Sequence, residues 1–207
     1  MSETMDPYFW SLIQGLLFLK EIQMIQPIYL YGSEVLRKKA EEVDLKDTET
    51  IKTLVQDLKD TLAVAEGCGL AAPQIGVSKR VVIVDGTEMT DVYDYLKDFR
   101  RTLINPRIIS QSDNMCTFNE GCLSIPGIYA DVRRPDSMTV EYYNEALEKV
   151  TESFDRFACR MIQHELSHLD GDMFTDHVAP IRKKMIAKKL VGIANGRYTT
   201  RYKSKIK

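Results

Sequence analysis

The chain has few long apolar runs, a nearly balanced charge, and little cysteine or histidine. Its longest apolar stretch, Tyr8 to Leu19, contains a Ser, a Gln and a Gly and is too short to span a bilayer. Glu3 and Asp6 precede it, so the stretch lacks the positive start of a signal peptide, and no small-residue cleavage site follows. These absences predict a protein with neither a membrane partner nor a secretory leader.

The charge balance excludes one broad class of function. Lys and Arg number 28 against 30 Asp and Glu, and a net charge of −2 does not suit a chain that binds nucleic acid through its whole surface. The charge is uneven, however, because no acidic residue follows Asp176 whereas ten basic residues do. Such an end is either an ordinary solvated tail or a contact for an anionic partner such as RNA.

Cysteine is too sparse for a disulfide framework. Four residues, Cys68, Cys116, Cys122 and Cys159, are typical of reduced thiols in a cytoplasmic protein of this length. One of these thiols is then available as a metal ligand. Histidine is scarcer still, since the chain has three and two of them lie in a single short motif.

That motif is His164-Glu165-Leu166-Ser167-His168. Histidines four residues apart lie on one face of a helix, where both rings can reach one metal ion, and Glu165 is placed to act as a general base. Gly171 predicts the end of this helix. The helix itself is predicted by apolar residues at three- and four-residue spacing: Phe154, Phe157, Ala158, Met161, Ile162, Leu166 and Leu169. The same spacing occurs at ordinary helix interfaces, so a metal site needs a third ligand.

The residues after the motif do not provide that ligand in a familiar arrangement. A metzincin needs a third His at position 174, which is Phe174 here, and His177 lies at an unfamiliar spacing. A downstream Glu, as in thermolysin, is also missing, because no acidic residue follows Asp176. The upstream thiol of Cys122 is therefore the best candidate. A thiolate and two imidazoles leave one coordination position open, as in catalytic rather than structural sites.

The remaining patterns predict an α+β fold, with antiparallel β-sheets around a central helix that carries the motif, and a C-terminal helix. Strands are predicted at residues 81–84, 102–109, 138–143 and 147–154, with a bulge or sheet edge at Pro106. Asp47 is the expected cap of a helix that ends near Gly67. After Pro180, residues 185–194 predict an amphipathic helix with Met185, Ile186, Leu190 and Ile193 on its apolar face.

Three segments together resemble the peptide deformylase family. Residues 67–76 read Gly-Cys-Gly-Leu-Ala-Ala-Pro-Gln-Ile-Gly, residues 120–124 read Glu-Gly-Cys-Leu-Ser, and residues 163–168 read Gln-His-Glu-Leu-Ser-His. The resemblance extends from about Met24 to Ala194. It implies a metal-dependent hydrolase that removes the N-formyl group from the N-terminal formyl-methionine of newly synthesised polypeptides and releases formate.

The resemblance also implies a set of site residues. Cys122, His164 and His168 are expected to hold one divalent metal ion, with Fe(II) as the usual metal and zinc or nickel as substitutes. Glu165 is expected to take a proton from the attacking water and return it to the leaving amine.

Further residues are implied for the substrate. Gln74 and the backbone N–H of Leu123 are expected to donate hydrogen bonds to the formyl oxygen, and Gly69 to lie beside the peptide backbone in strand fashion. Phe157 and Met161, seven and three residues before His164, are candidates for the wall of the methionine pocket, although core packing also explains each.

One residue departs from the family pattern. Ser167 stands where the family usually has Asp, which removes an acidic partner for a nearby cation, for which Arg134 is our candidate. Because position 167 is not a ligand, we expect metal ligation to be retained and metal affinity or stability to change.

The domain expectations follow from these assignments. We expect residues 1–23 to be an extension outside the catalytic fold, residues 24–180 to form the catalytic domain, and residues 181–207 to form a basic C-terminal helix and tail. Deformylases act on chains that emerge from the ribosome, so the basic end is a candidate ribosome contact in the bacterial cytoplasm. Two alternatives stay open: a metallopeptidase, and an RNA-binding module with a structural metal.

Overall fold

The structure, a computed structural model, describes residues 24–207. The expectation for residues 1–23 therefore lies outside the described residues. Within residues 24–207 no helix combines the length and the apolar character needed to cross a membrane. The α-helices of this part are α1 (Thr48–Ala65), α2 (Arg156–Leu169) and α3 (Pro180–Ala194). The strands are β1 (Ile28–Tyr29), β2 (Gly69–Ala71), β3 (Val81–Asp85), β4 (Arg100–Gln111), β5 (Met115–Cys122), β6 (Ile125–Pro135), β7 (Ser137–Tyr143), β8 (Lys149–Asp155) and β9 (Ser204–Lys205).

An antiparallel five-stranded sheet in the order β2-β3-β4-β7-β8 forms the centre of the fold. Helices α1 and α2 cover its two faces. Alternate residues of β3 show this arrangement, because Val81 and Ile83 pack with α1 whereas Val82 and Val84 pack with α2. A strand buried on both faces is apolar along its whole length, which explains the continuous run of valine and isoleucine.

Helix α1 forms where the sequence predicts it. The Asp47 side chain accepts a hydrogen bond from the Thr50 N–H at 3.2 Å, so it caps the first turn. The predicted apolar stripe is buried against the sheet: Ile51, Leu54, Val55, Leu58 and Leu62. The helix ends at Glu66, which adopts the left-handed conformation with φ of 56° and leads the chain into Gly67 and β2.

The strand predictions are confirmed with small changes in length, but two helix boundaries are wrong. The register of β4 against β7 shifts between Ile104 and Arg107, which is the bulge expected at Pro106. Phe154 belongs to β8 and not to the helix, because α2 begins only at Arg156. Pro180 does not interrupt the chain before a helix but opens α3 at its first turn, where proline loses no hydrogen bond.

Helix α3 buries a narrower face than the sequence predicts. Ile186, Leu190 and Ile193 are buried, whereas Met185 is 65% exposed, so its assignment to the apolar face is wrong. The last turn rests on Gly32, where a Cβ atom would lie 2.8 Å from the Ala194 Cβ atom. Glycine at position 32 therefore lets α3 approach the start of the described chain closely.

The residues after α3 return to the body of the protein instead of forming a free tail. Strand β9 pairs in parallel with β1, and this ribbon is an exception to the antiparallel pairing expected from the sequence. The partly buried side chains of Tyr198, Tyr202 and Ile206 pack against the core on the α1 side. Partial burial of these three apolar side chains stabilises the packing of a segment that is otherwise rich in lysine and arginine.

Candidate metal centre

Three predicted ligands come together where the β5–β6 hairpin meets α2. Cys122 is the last residue of β5, and His164 and His168 lie one turn apart on α2. Their ligand atoms all lie within 4.8 Å of one another, and the Cys122 Sγ atom is 3.3 Å from the His168 Nε2 atom. Within residues 24–207 this is the one such group of Cys, His and acidic side chains, and His177 is outside it.

The donor set fits a divalent transition metal. A thiolate with two imidazoles suits iron, zinc and nickel alike. Burial, together with the nearby His164, lowers the pKa of His168 well below its ordinary value, which favours the neutral form that binds a metal.

Glu165 lies beside the ligands and keeps one carboxylate oxygen free. Its Oε2 atom is buried and has no hydrogen-bond partner among residues 24–207. Burial raises the pKa of the Glu165 carboxyl to about 7, which suits a group that takes and returns a proton near neutral pH. Gly69 packs directly on this carboxylate, because a Cβ atom at position 69 would lie 2.6 Å from the Glu165 Oε1 atom. Any side chain at position 69 would therefore displace Glu165.

The Gln74 amide is held in one orientation beside the Cys122 thiol. Its Oε1 atom accepts a hydrogen bond from the Ala71 N–H at 2.8 Å. Its Nε2 atom consequently points the other way, 3.2 Å from the Ser124 Oγ atom and 3.6 Å from the Cys122 Sγ atom. A donor fixed in this way is suited to stabilising negative charge on a bound carbonyl oxygen.

Leu123 lies in the two-residue turn between β5 and β6, immediately after Cys122. Its side chain packs over Gly67, where a Cβ atom would lie 2.9 Å from the Leu123 Cδ1 atom. Its N–H takes part in none of the turn and loop hydrogen bonds of residues 24–207. The backbone donor at position 123 is thus adjacent to the metal ligand and available to a bound molecule.

One cleft of about 550 Å³ connects these groups. Its lining includes every predicted site residue except His168, which is 1% exposed and lies behind the others. Phe157 stacks on Tyr93, in the segment before β4, with 4.7 Å between the ring centroids. Met161 is 5% exposed, and a Cβ atom at Gly86 would lie 3.2 Å from its Cε atom, so it belongs to the core as well as to the cleft wall.

A buried cluster of charged groups, not expected from the sequence, lies behind the ligands. The Glu120 carboxylate is hydrogen-bonded to His164 Nδ1 at 2.9 Å, to Arg134 Nε at 2.8 Å and to Arg160 Nη1 at 2.8 Å. Burial alone would raise the pKa of Glu120, but the hydrogen bonds from His164 and Arg134 hold it well below its ordinary range. This carboxylate orients the His164 ring, since Nδ1 faces Glu120 and Nε2 is left for a metal.

Arg160 is the residue of this cluster that sequence reasoning missed. It lies one turn before His164 on α2 and is 2% exposed. The sequence places Arg160 on the same helical face as the two histidines. Because a buried cation requires an acidic partner, this position could have predicted a carboxylate close to the ligands. Arg134, the cation predicted to lie near Ser167, does so: its Nη1 atom donates a hydrogen bond to the Ser167 Oγ atom at 2.9 Å.

Comparisons with known proteins agree with this geometry. The sequence model described as polypeptide deformylase matches residues 25–184. Peptide deformylase of Christiangramia forsetii is 40% identical over 187 residues, which cover 87% of this chain and 95% of the relative. That of Pseudothermotoga lettingae is 41% identical over 179 residues, which cover 86% of this chain and 98% of the relative.

Solved structures give the same result. Peptide deformylase from Plasmodium falciparum superposes with a TM-score of 0.74 at 32% identity, covering 82% of this chain and 95% of that chain. The peptide deformylase from Legionella pneumophila superposes with a TM-score of 0.72 at 33% identity, covering 84% of this chain and 99% of that chain. The family match spans the hairpin with Cys122 and the helix with both histidines, and we conclude that this chain belongs to the polypeptide deformylase family.

Proposed function

We propose that Cys122, His164 and His168 hold one divalent metal ion and that Glu165 is the general base of a peptide deformylase. As a member of the family, the protein is a metal-dependent hydrolase that removes the N-formyl group from newly synthesised polypeptides. One observation carries the residue assignment: a buried Glu165 oxygen with no hydrogen-bond partner among residues 24–207 lies in the same cleft as two of the three converging metal ligands. Fe(II) is the metal we propose from the family resemblance, with zinc or nickel as substitutes, because the donor set itself suits all three.

The chemistry follows from the side chains around the ligands. When bound, a divalent ion supplies Lewis acidity, which makes water a stronger acid at neutral pH. Glu165 takes a proton from the water that attacks the formyl carbon. The Gln74 amide and the Leu123 N–H then donate hydrogen bonds to the formyl oxygen as negative charge develops on it. Glu165 gives the proton to the methionine nitrogen as the carbon–nitrogen bond breaks, which releases formate and a free amino terminus.

The cleft also accommodates the methionyl peptide in this proposal. Strand β2 pairs only with β3 among residues 24–207, so its other edge, which includes Gly69, is free to pair with an extended peptide. Phe157 and Met161 form the apolar wall for the methionine side chain. The methionine side chain binds at this wall because its apolar surface is then removed from water.

Formate release tests this proposal directly. We expect protein purified without oxygen to contain about one metal ion per chain, as a single site with one open position requires. We expect it to release formate from a formyl-methionyl tripeptide and not to hydrolyse the acetyl-methionyl analogue. Metal-loaded protein that releases no formate, or that cleaves the internal peptide bonds instead, would contradict the proposal and favour a metallopeptidase.

We also propose that the protein works in the bacterial cytoplasm, where α3 contacts the ribosome. The basic side chains of α3 are exposed: Arg182, Lys183, Lys184, Lys188 and Lys189. Ile181 and Met185 on the same helix are 71% and 65% exposed, which adds apolar surface to this basic face. Such a face suits the phosphates of ribosomal RNA. The division into residues 24–180 and 181–207 remains a prediction, and so does the placement of residues 1–23 outside the catalytic fold.

A charge reversal on α3 tests the ribosome contact. The double variant Lys184→Glu and Lys188→Glu changes two exposed side chains that form no salt bridge within residues 24–207. We expect its affinity for ribosomes to fall by about tenfold or more, with a weaker dependence on salt, because fewer phosphate contacts remain. Formate release from short peptides should not change. The control is Lys38→Glu with Lys39→Glu, and equal ribosome binding by both variants would refute the contact.

A further inference from the structure

The residues after α3 contribute to the cleft as well as to the fold. Thr199, Thr200, Arg201 and Tyr202 line the same cleft as Glu165, Gln74 and Leu123. From the sequence alone these residues belong to a basic tail with no part in the chemistry. Their position in the cleft places part of the C-terminal segment beside the peptide substrate.

Tyr202 makes the most specific contact of this segment. Its hydroxyl donates a hydrogen bond to the Leu123 carbonyl oxygen at 2.5 Å, across 79 residues of sequence. Burial raises the pKa of Tyr202, so the hydroxyl remains protonated and able to donate at physiological pH. The following carbonyl, that of Ser124, accepts a hydrogen bond from the Tyr31 N–H at 2.8 Å. Both carbonyls of the Leu123–Ser124 turn are therefore bound.

The two tyrosines that bind this turn flank the β1–β9 ribbon. Tyr31 follows β1 and Tyr202 precedes β9. Two backbone hydrogen bonds, Ile28 N–H to Lys203 O and Leu30 N–H to Lys205 O, both 2.9 Å, hold the ribbon together. The Thr200 hydroxyl further fixes the segment by donating to the Tyr202 carbonyl at 2.9 Å. The turn is thus attached to the β1–β9 ribbon, which the C-terminal segment completes.

We infer that the C-terminal segment is part of the active site, with residues 199–202 as one wall of the peptide cleft and Tyr202 as a positioning residue for Leu123. The Leu123 N–H is effective only if it lies about 2.7–3.1 Å from the oxygen that becomes charged, so a small movement of the turn weakens it. Tyr202 prevents that movement by holding the carbonyl of the same residue. This inference rests on the proposed function, in which Leu123 donates to the formyl oxygen.

The variant Tyr202→Phe tests the inference, because it removes the hydroxyl and keeps the ring that packs against the core. We expect kcat for a formyl-methionyl tripeptide to fall about tenfold, less than the 10²–10³ lost when such a donor is removed outright. KM should remain within about twofold, since the interaction forms mainly in the transition state. Tyr198→Phe is the matched control: it removes a hydroxyl from the same segment at a ring that packs on the same core but does not line the cleft.

The outcomes separate the inference from the proposed function. Bound metal and thermal unfolding are measured for both variants, with activity assayed at a temperature at which both are folded. A Tyr202→Phe enzyme with the kcat of Tyr198→Phe would overturn the inference while leaving the deformylase assignment in place. A loss of activity that only follows loss of metal or of folded protein would overturn it as well. A wild-type protein that releases no formate would overturn the proposed function and the inference together.

Discussion

Replacing Glu165 by Gln is expected to reduce formate release by about 10³-fold or more, within the range attributed to general acid–base groups. The amide keeps the shape that packs against Gly69 but cannot take a proton from water. The metal should remain bound, because Glu165 is not one of the three converging ligands. Turnover of a formyl-methionyl tripeptide and metal content per chain are the two measurements that check this expectation.

A surface variant controls for the change of charge. Glu34→Gln also removes one carboxylate, at an exposed position outside the cleft, and should leave both turnover and metal content unchanged. A Glu165→Gln enzyme with wild-type turnover would rule out Glu165 as the base. Loss of metal together with activity would show that Glu165 supports the metal site rather than the proton transfer.

The second large effect is expected at Glu120, which accepts hydrogen bonds from two buried guanidinium groups and one ligand ring. Glu120→Gln leaves Arg134 and Arg160 without a negative partner among the described residues. Breaking a buried ion pair from one side costs about 3–5 kcal/mol of unfolding free energy. Because Glu120 also orients His164, metal affinity should fall by about 10–100-fold. Urea unfolding and competition with a chelator measure the two quantities.

The matched control is Glu152→Gln on β8. Glu152 likewise binds an arginine, Arg101, at 2.7 Å, and the Tyr142 hydroxyl at 2.7 Å, but its side chain is 27% exposed. We expect a loss of about 1 kcal/mol or less there, because solvent screens a partly exposed pair. Metal affinity should not change. Equal effects of the two variants on stability and metal affinity would contradict the role assigned to the Glu120 cluster.

The sequence predicted the elements whose pattern is local. The spacing of His164 and His168 follows from the helical repeat, and the cap at Asp47 from a side chain three residues from its partner, Thr50. Strands β3, β4, β7 and β8 were predicted because alternating or continuous apolar residues reflect burial directly, whereas β5 and β6 were not predicted. The start of α2 was placed too early because Phe154, the first residue of the apolar pattern, belongs to β8. The start of α3 was placed too late because Pro180 was read as an interruption, whereas proline fits the first turn of a helix.

Contacts between distant parts of the chain were less accessible to sequence reasoning. Arg160 was missed because its partners, Glu120 and the Val132 carbonyl, lie 40 and 28 residues away. Only the packing of the β5–β6 hairpin against α2 brings these groups together. The tyrosine that holds the Leu123 carbonyl was not expected from the sequence, since it lies 79 residues further along the chain.

The sequence by itself thus determined the chemistry that this protein has available: a thiol, two imidazoles at helical spacing, and a glutamate beside them. The tertiary structure decided how those groups are supported. It buried Arg134 and Arg160 around a single carboxylate, and it folded a basic segment back beside the cleft. The physical reason is that helical spacing and end caps depend on neighbours within a few residues, whereas burial and hydrogen-bond partners depend on which distant surfaces pack together.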